Sequence, residues 1–311
     1  MSGSGVAKKI VALAADLSDA ALGLGEGLFR EISKEADAVY HAGWSVNFNQ
    51  RLRSFEKDCI AGVHHLLNLC VANRVSPARF IFFSSIGTVL SGNYEGGIPE
   101  KVPTSFSDAR PTGYARSKYV AEHICSSAAE SMGIPVAIVR VGQIVGDTAR
   151  GVWNTSEASP LMLRSVTTIK ALPELHEEVR WIPVDVVAQI SLELGASSAL
   201  LTSRAPVFNV VNPHALRWTE DLLKLLSSAG LEFRAVKPVE WLALLEASDE
   251  DVDANPTRKL LGYYRSQIAS KGENPAWDTG RAAAMSPTFR DIQAPGEDLI
   301  ALMVNYFKTQ W

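Results

Sequence analysis

The sequence predicts an α/β fold built on a doubly wound parallel sheet, with a smaller and mainly helical lobe in the second half of the chain. Two observations support this prediction: short apolar strands alternate with helical segments, and residues 79–84 form an almost wholly apolar strand. Alternating strands and helices are typical of a parallel sheet with helices on both faces. A strand that is buried on both faces of such a sheet is apolar throughout its length.

The elements of the first half follow in chain order. Apolar segments predict strands at residues 9–15, 38–41, 79–84 and 136–141, and helical patterns predict helices at 28–34, 55–73 and 114–132. The third of these helices is expected to end near Gly133. In the helix at 55–73, apolar residues recur at helical spacing; they are Ile60, Val63, Leu66, Leu67, Cys70 and Val71.

The pattern becomes less regular after Gly146. Amphipathic helices are predicted at 220–229 and 238–247 and a closing helix at 299–307. The acidic run at 249–253 is expected to be a solvated loop or helix start and not a metal site. We therefore expect one domain over 1–146 and a second over 147–311, with segments around 181–212 returning to the first.

Composition excludes several classes of function. The chain has 311 residues, 47% of them hydrophobic, which allows one large core and a smaller one. Its net charge of −4 offers no basic surface for nucleic acid, and no apolar run approaches the ~18 residues of a membrane span. Cys59, Cys70 and Cys125 lack metal-ligand spacing. We expect a cytoplasmic protein without a metal, a membrane or a nucleic-acid partner.

Tyr114 and Lys118 are the most informative residues. Their i, i+4 spacing places both side chains on one face of a helix. An ammonium beside a phenol lowers its pKa toward neutrality, and a hydroxyl at a strand end, Ser85, can hold a carbonyl against it. An isolated Tyr-x-x-x-Lys pattern can also be a surface tyrosine above a solvated lysine. The strand before Ser85 and the strand at 136–141 favour a proton-donating site for carbonyl reduction.

In order and context, Ser85, Tyr114 and Lys118 resemble the catalytic residues of the extended short-chain dehydrogenase/reductases. Further stretches narrow the resemblance to the terminal thioester reductase domains of nonribosomal peptide synthetases and fungal adenylate-forming reductases. They are residues 36–48, 151–155, 181–185 and 207–213.

The resemblance implies that NADPH reduces an acyl or peptidyl thioester carried on the phosphopantetheine arm of a carrier protein. The product is an aldehyde, which can be reduced further to an alcohol. Tyr114 would donate the proton, Lys118 would lower the pKa of the tyrosine and hold the nicotinamide ribose, and Ser85 would bind the carbonyl oxygen. Residues 1–146 would form the Rossmann-type nucleotide-binding and catalytic domain, and 147–311 the substrate-binding subdomain.

The resemblance also implies the remaining site residues. Cofactor contacts are expected from Asp16, Leu17, His41, Ala42, Gly43, Tyr114, Lys118, Val141, Gly142 and Gln143. Substrate contacts are expected from Thr88, Trp153 and Asn154. Candidate residues for docking of the carrier domain are Arg150, Arg164 and Lys170.

One part of the family pattern is missing. A Rossmann domain opens with a strand, a glycine-rich turn and a helix whose N-terminus holds the cofactor pyrophosphate. The 113 residues before Tyr114 resemble later parts of the fold, and the run Gly23-Leu-Gly-Glu-Gly27 lacks the G-x-G-x-x-G spacing. We therefore expect an N-terminally truncated Rossmann-type sheet, weak or absent NADPH binding and impaired activity.

Two other functions stay open. One is a catalytically silent homologue with a binding or scaffold role. The other is an extended short-chain reductase or epimerase that acts on a free small molecule. In either lineage we expect a monomeric domain, and in the thioester reductases a domain of a larger multidomain enzyme.

Overall fold

The computed structural model describes residues 9–72, 74–202, 205–269 and 275–311. The described residues form two compact units. The first takes the chain up to Glu95, together with Pro99–Arg140 and Glu193–Asn209. The second takes Gly96–Ile98, Val141–Leu192 and the chain from Val210 onward. The sequence predicts a domain boundary at 146, with 181–212 returning to the first domain. That boundary stays a prediction.

Ten strands and eleven α-helices are described. The strands are β1 (Ala38–His41), β2 (Arg79–Ser85), β3 (Val136–Val141), β4 (Ile144–Val145), β5 (Ala171–Pro173), β6 (Glu178–Val179), β7 (Ile182–Pro183), β8 (Val207–Val210), β9 (Leu216–Arg217) and β10 (Arg234–Val236). The helices are α1 (Gly25–Glu35), α2 (Ala61–Val71), α3 (Gly113–Ser131), α4 (Ala158–Thr168), α5 (Val184–Ala196), α6 (Leu223–Ser228), α7 (Pro238–Ala247), α8 (Leu261–Ala269), α9 (Gly280–Met285), α10 (Pro287–Arg290) and α11 (Glu297–Gln310).

The first unit is built on a parallel sheet in the order β1-β2-β3-β8. Strands β1 and β2 pair in register from Ala38 with Arg79 to His41 with Phe82. Successive side chains of a strand face opposite sides of the sheet. Phe80 and Phe82 therefore join the core beneath α2 and α3, while Tyr40 and Ile81 lie against Gly195 at the end of α5. The predicted α/β class with helices on both faces is confirmed.

The long predicted helix at 55–73 is a composite. A 3₁₀ turn (Leu52–Phe55) and a π turn (Glu56–Ile60) lead directly into α2. The helix that carries Tyr114 and the strands at 38–41, 79–84 and 136–141 lie where the sequence predicts them.

The predicted strand at 9–15 is wrong. These residues belong to no strand, and Ile10 and Val11 are 68% and 79% exposed. An apolar, β-branched segment becomes a strand only where a neighbour supplies the ladder hydrogen bonds. Among the described residues, β1 is the edge of the sheet on this side.

The second unit is mainly helical and has its own core. Three two-stranded pairs, β4 with β7, β5 with β10 and β6 with β9, accompany helices α4 and α6–α11. The core contains four tryptophans, Trp153, Trp181, Trp218 and Trp241. The helices predicted at 238–247 and 299–307 are confirmed as α7 and α11. The helix predicted at 220–229 consists of a π turn at Trp218–Leu222 followed by α6.

The described residues show neither a metal-binding cluster nor a membrane-spanning helix. No group of three or more His, Cys, Asp or Glu side chains in the described residues is placed to hold a metal ion. Within the same residues, no helix combines the length and the apolar character that a membrane crossing requires.

Candidate active site

Helix α3 begins at a point where the backbone allows only a small residue. A Cβ on Gly113 would lie 2.2 Å from the carbonyl oxygen of Gln50, far inside van der Waals contact. Thr112 caps the helix by accepting a hydrogen bond from the amide of Ala115 at 3.2 Å. Tyr114 follows Gly113, and its ring lies edge-on against Phe48, with ring centroids 5.2 Å apart.

Ser85 and Tyr114 are brought together, as the sequence predicts. Ser85 ends β2, and its hydroxyl accepts a hydrogen bond from the amide of Gly87 at 3.2 Å. Burial raises the pKa of Tyr114, and the neighbouring Ser85 side chain opposes this shift less strongly. The phenol therefore keeps its proton at neutral pH.

Lys118 lies one turn further along α3 and is buried. Its Nζ donates to the carbonyl oxygen of Phe83 at 2.5 Å and lies 4.0 Å from the ring centroid of Trp44. Burial lowers the pKa of Lys118 to about 7, against weaker opposing contributions from Cys59, Cys125 and Glu122.

The expected effect of Lys118 on Tyr114 is not what the structure gives. The pKa of Tyr114 is raised, and the Lys118 ammonium is not among its causes. The i, i+4 spacing does place both residues on one face of α3, but the lysine side chain turns toward Phe83 and Trp44. Burial of the phenol consequently decides its pKa.

His41 ends β1 and is buried at 4% exposure. Its ring packs on Phe82 at 5.9 Å and on Trp44 at 5.9 Å. Its Nε2 has no hydrogen-bond partner among the described residues. Burial, and secondarily the charge of Lys118, lowers the pKa of His41 to about 4. A buried donor or acceptor without a partner is costly, so this nitrogen is a candidate contact for a ligand at the carboxyl end of the sheet.

Four other residues of the first unit that the sequence predicts as cofactor contacts, Asp16, Leu17, Ala42 and Gly43, lie before α2. The carbonyl of Leu17 accepts a hydrogen bond from Nδ1 of His65 at 2.9 Å, and a Cβ on Gly62 would lie 2.9 Å from the Cβ of Leu17. Ala42 and Gly43 follow β1 and are exposed. The Asp16 carboxylate accepts from the amide of Ser18 at 2.9 Å, and hydrogen bonds from Ser18 lower its pKa. Cofactor contacts by these four residues stay predictions.

A buried ion pair behind Ser85 was not predicted from the sequence. Arg140 of β3 and Glu122 of α3 form a two-pronged pair at 2.9 and 2.7 Å, and both side chains are fully buried. Ser84 and Thr88 donate to the same Glu122 carboxylate at 2.6 and 3.0 Å. The spacing of Tyr114, Lys118 and Glu122, four residues each, was the signal that could have found it.

This network changes the interpretation of Thr88. Its side chain is fully buried, and its single hydroxyl proton lies between two acceptors, Glu122 at 3.0 Å and the carbonyl oxygen of Ser85 at 2.9 Å. The predicted substrate contact is therefore disfavoured, because the hydroxyl already has protein partners.

The remaining predicted residues belong to the second unit. Val141 is buried, and the amide of Gly142 donates to the carbonyl of Val210 at 3.0 Å. The Gln143 side chain donates to the carbonyl of Ile144 at 2.7 Å. Cofactor contacts by these three residues stay predictions.

Trp153 and Asn154 have structural partners of their own. Trp153 is a core residue, 5.3 Å from Trp181, and its indole N–H donates to Glu157 at 3.1 Å. Asn154 is exposed and accepts from the Ser156 hydroxyl at 2.8 Å. Burial argues against a substrate contact by Trp153, because its polar atom already has a partner; for Asn154 the contact stays a prediction.

Comparisons with known proteins place the chain in a family. A family model described as "Male sterility protein", which covers an NAD-binding domain, matches residues 3–191. The adenylate-forming reductase Nps10 of Heterobasidion annosum is 31% identical over 323 residues, covering 97% of this chain and 29% of the relative. A carboxylic acid reductase of Neurospora crassa is 32% identical over 300 residues, covering 92% and 28%. The chain thus spans less than a third of these relatives.

Solved structures agree on the fold. The terminal R domain from the myxalamid PKS-NRPS pathway superposes with a TM-score of 0.82 at 24% identity, covering 99% of this chain and 77% of that one. The reductase domain of a nonribosomal peptide synthetase from Mycobacterium tuberculosis gives 0.72 at 20% identity, covering 95% and 75%. The chain therefore belongs to the male sterility protein family of NAD(P)-binding reductase domains, of the extended short-chain dehydrogenase/reductase type.

Proposed function

We propose that this chain catalyses the NADPH-dependent reductive release of an acyl or peptidyl thioester from a carrier protein, with an aldehyde as the product. The observation that supports it most is the position of Ser85, which ends β2 beside the start of α3. A Cβ on Gly87, two residues after Ser85, would lie 3.2 Å from the Cβ of Ala115, the residue after Tyr114. Relatives named adenylate-forming reductase and carboxylic acid reductase share this stretch of chain and favour the same chemistry.

The protein groups have distinct roles in this reaction. A bound NADPH supplies the hydride that the carbonyl carbon of the thioester accepts. Ser85 donates a hydrogen bond to the carbonyl oxygen, and Tyr114 transfers its proton to the oxyanion that develops there. The raised pKa of Tyr114 keeps that proton in place until the oxyanion forms. Cleavage of the carbon–sulfur bond then leaves the aldehyde and the free thiol.

The described residues fit the nicotinamide end of the cofactor. The unpartnered Nε2 of His41 and the Lys118 ammonium belong to the first unit, at and near the carboxyl ends of β1 and β2, where ligands of open parallel sheets bind. No described residue before Ala38 lies in a strand, and α1 carries Glu26 in its first turn. A carboxylate there repels a pyrophosphate, so we infer weak NADPH binding by the residues described.

The test compares two substrates of the same acyl group, one on a phosphopantetheine carrier domain and one on free pantetheine. Aldehyde that depends on NADPH, trapped as an oxime and detected by mass spectrometry, supports the proposal. A reversal of Arg150, Arg164 and Lys170 to glutamate should lower turnover of the carrier-bound substrate alone. No aldehyde from either substrate, with NADPH shown to be bound, would refute the reaction.

A silent homologue with a binding role is the second candidate. The observation in its favour is the lack of a strand, glycine-rich turn and helix for the pyrophosphate among the described residues before β1. Calorimetric titration with NADPH separates the two, because a silent homologue without a cofactor role gives no heat of binding at any concentration.

A further inference from the structure

Two aromatic side chains of the first unit enclose the Lys118 amine. Its Nζ lies 4.0 Å from the ring centroid of Trp44 and 4.8 Å from that of Phe82. The two rings pack edge to face at 5.6 Å. We call this pair, Trp44 and Phe82, the aromatic cage. Cations within about 6 Å of a ring face are attracted by its quadrupole, and indole is the strongest partner.

Trp44 is itself tied to α3. Its indole N–H donates to the Ser117 hydroxyl at 3.2 Å, and that hydroxyl donates to the carbonyl oxygen of Tyr114 at 2.7 Å. Ser117 precedes Lys118 in the sequence, so the ring that faces the amine is fixed to the turn that carries both Tyr114 and Lys118. The His41 ring also packs against the indole, with ring centroids 5.9 Å apart.

We propose that Trp44 is a positioning residue that holds the protonated Lys118 amine through the aromatic cage, with Ser117 fixing the orientation of the indole. The consequence for turnover rests on the proposed function, in which Lys118 holds the nicotinamide ribose. The cage itself is a property of the chain without cofactor and can be tested there.

The pKa of Lys118 depends on burial and on the titratable groups around the amine. Burial disfavours the protonated amine of Lys118 most strongly, while Cys59, Cys125 and Glu122 favour it. The His41 ring lies 5.9 Å from both rings of the cage, and burial, followed by the charge of Lys118, lowers the pKa of His41. A ring face also favours the protonated amine, so removing the indole while keeping the site dry should make Lys118 a stronger acid.

The test is an NMR titration of the full chain with ¹³C- and ¹⁵N-labelled lysine, with the Lys118 resonance assigned from the Lys118→Arg variant. Trp44→Leu should lower the pKa of Lys118 by about 0.5 to 1.5 units. Trp44→Phe keeps a ring but loses the hydrogen bond to Ser117, and should give a smaller downward shift. Phe106→Leu is the matched control, since it removes the ring under Arg116 and leaves the cage intact.

A folded Trp44→Leu chain whose Lys118 pKa is unchanged or raised would overturn the proposal. If Trp44→Leu does not fold, the Trp44→Phe chain decides. An unchanged pKa of Lys118 in Trp44→Phe then rejects the cage. A confirmed shift in a chain that binds NADPH and releases no aldehyde from an acyl thioester would keep the cage and reject the proposed function. Normal thioester reduction by a Lys118→Met chain would reject only the role of Lys118 in turnover.

Discussion

At the scale of single residues, burial strongly shifts the pKa values of His41 and Lys118, two polar groups of the candidate site. Both are cationic when protonated, and both lose water in the folded chain, so burial depresses their pKa values to about 4 and about 7. Tyr114 is shifted the opposite way for the same reason, because its charged form is the deprotonated one. One cause therefore sets the protonation states of the whole candidate site.

Tyr114→Phe removes the proton donor and keeps the ring that packs on Phe48. We expect kcat for thioester reduction to fall by about 10²- to 10⁴-fold, the usual contribution of a general acid, with little change in stability. Steady-state kinetics at a fixed NADPH concentration measure this. Phe48→Leu is the control for lost packing, and near-normal turnover of Tyr114→Phe would show that another group donates the proton.

His41 makes stability depend on pH in the acid range. The unfolded histidine binds a proton near pH 6.5, while the folded one binds it near pH 4, so the unfolded chain holds more protons between these values. Stability must then rise with pH across this window and fall as the solution is acidified. The full effect is about 3 kcal/mol.

His41→Phe should flatten this dependence, because a phenyl ring fits among Phe80 and Phe82 and does not titrate. Urea unfolding at pH 4.5 and 7 checks it, with the exposed His176 changed to Gln as control. An unchanged acid slope in His41→Phe would assign the pH dependence to other groups.

At the scale of elements, strands and helices were predictable where burial and periodicity agree. Strand β2 is apolar because it is covered on both faces, and α3 starts where Thr112 and Gly113 require it. The segment at 9–15 has the composition of a strand but no partner in the described chain, and composition alone does not report partners. The orientation of Lys118 toward Trp44 depends on packing between distant segments, which spacing within one helix cannot reveal.

The Glu122–Arg140 pair joins α3, β3 and the end of β2. Glu122→Leu alone should lower the free energy of unfolding by about 3–5 kcal/mol, since it leaves Arg140 buried and uncompensated. The double variant Glu122→Leu/Arg140→Met should recover much of that loss. Denaturant unfolding of the single and double variants measures the coupling, and additive effects would show that the pair is not a unit. Asp221→Asn, which breaks an exposed pair with Arg217, should change little.

At the scale of the whole molecule, the family and the α/β class were readable from Ser85, Tyr114, Lys118 and the strands around them, and both are confirmed. The partition into two compact units follows from two separate cores, one on the sheet and one around four tryptophans. Burial of Trp153 inside the second core was hidden in the sequence, because an isolated tryptophan fits a core as well as a substrate pocket.

The dissociation constant of NADPH tests the inference that the described residues hold the cofactor pyrophosphate weakly. A charge-assisted hydrogen bond is worth about 1.5–3 kcal/mol, so a site that lacks several such bonds to the pyrophosphate is expected to bind NADPH more weakly by orders of magnitude. Calorimetric titration of the chain should give a dissociation constant far above the micromolar range. Sub-micromolar affinity would mean that residues outside the expected pattern bind the phosphates.

The most direct test of the central claim is aldehyde formation from an acyl-pantetheine thioester by this chain at saturating NADPH carrying deuterium at the transferable position. The account predicts a monodeuterated aldehyde and one equivalent of free thiol, both lost in the Tyr114→Phe chain. Bound NADPH without a deuterated aldehyde, or equal product from the Tyr114→Phe chain, would contradict it.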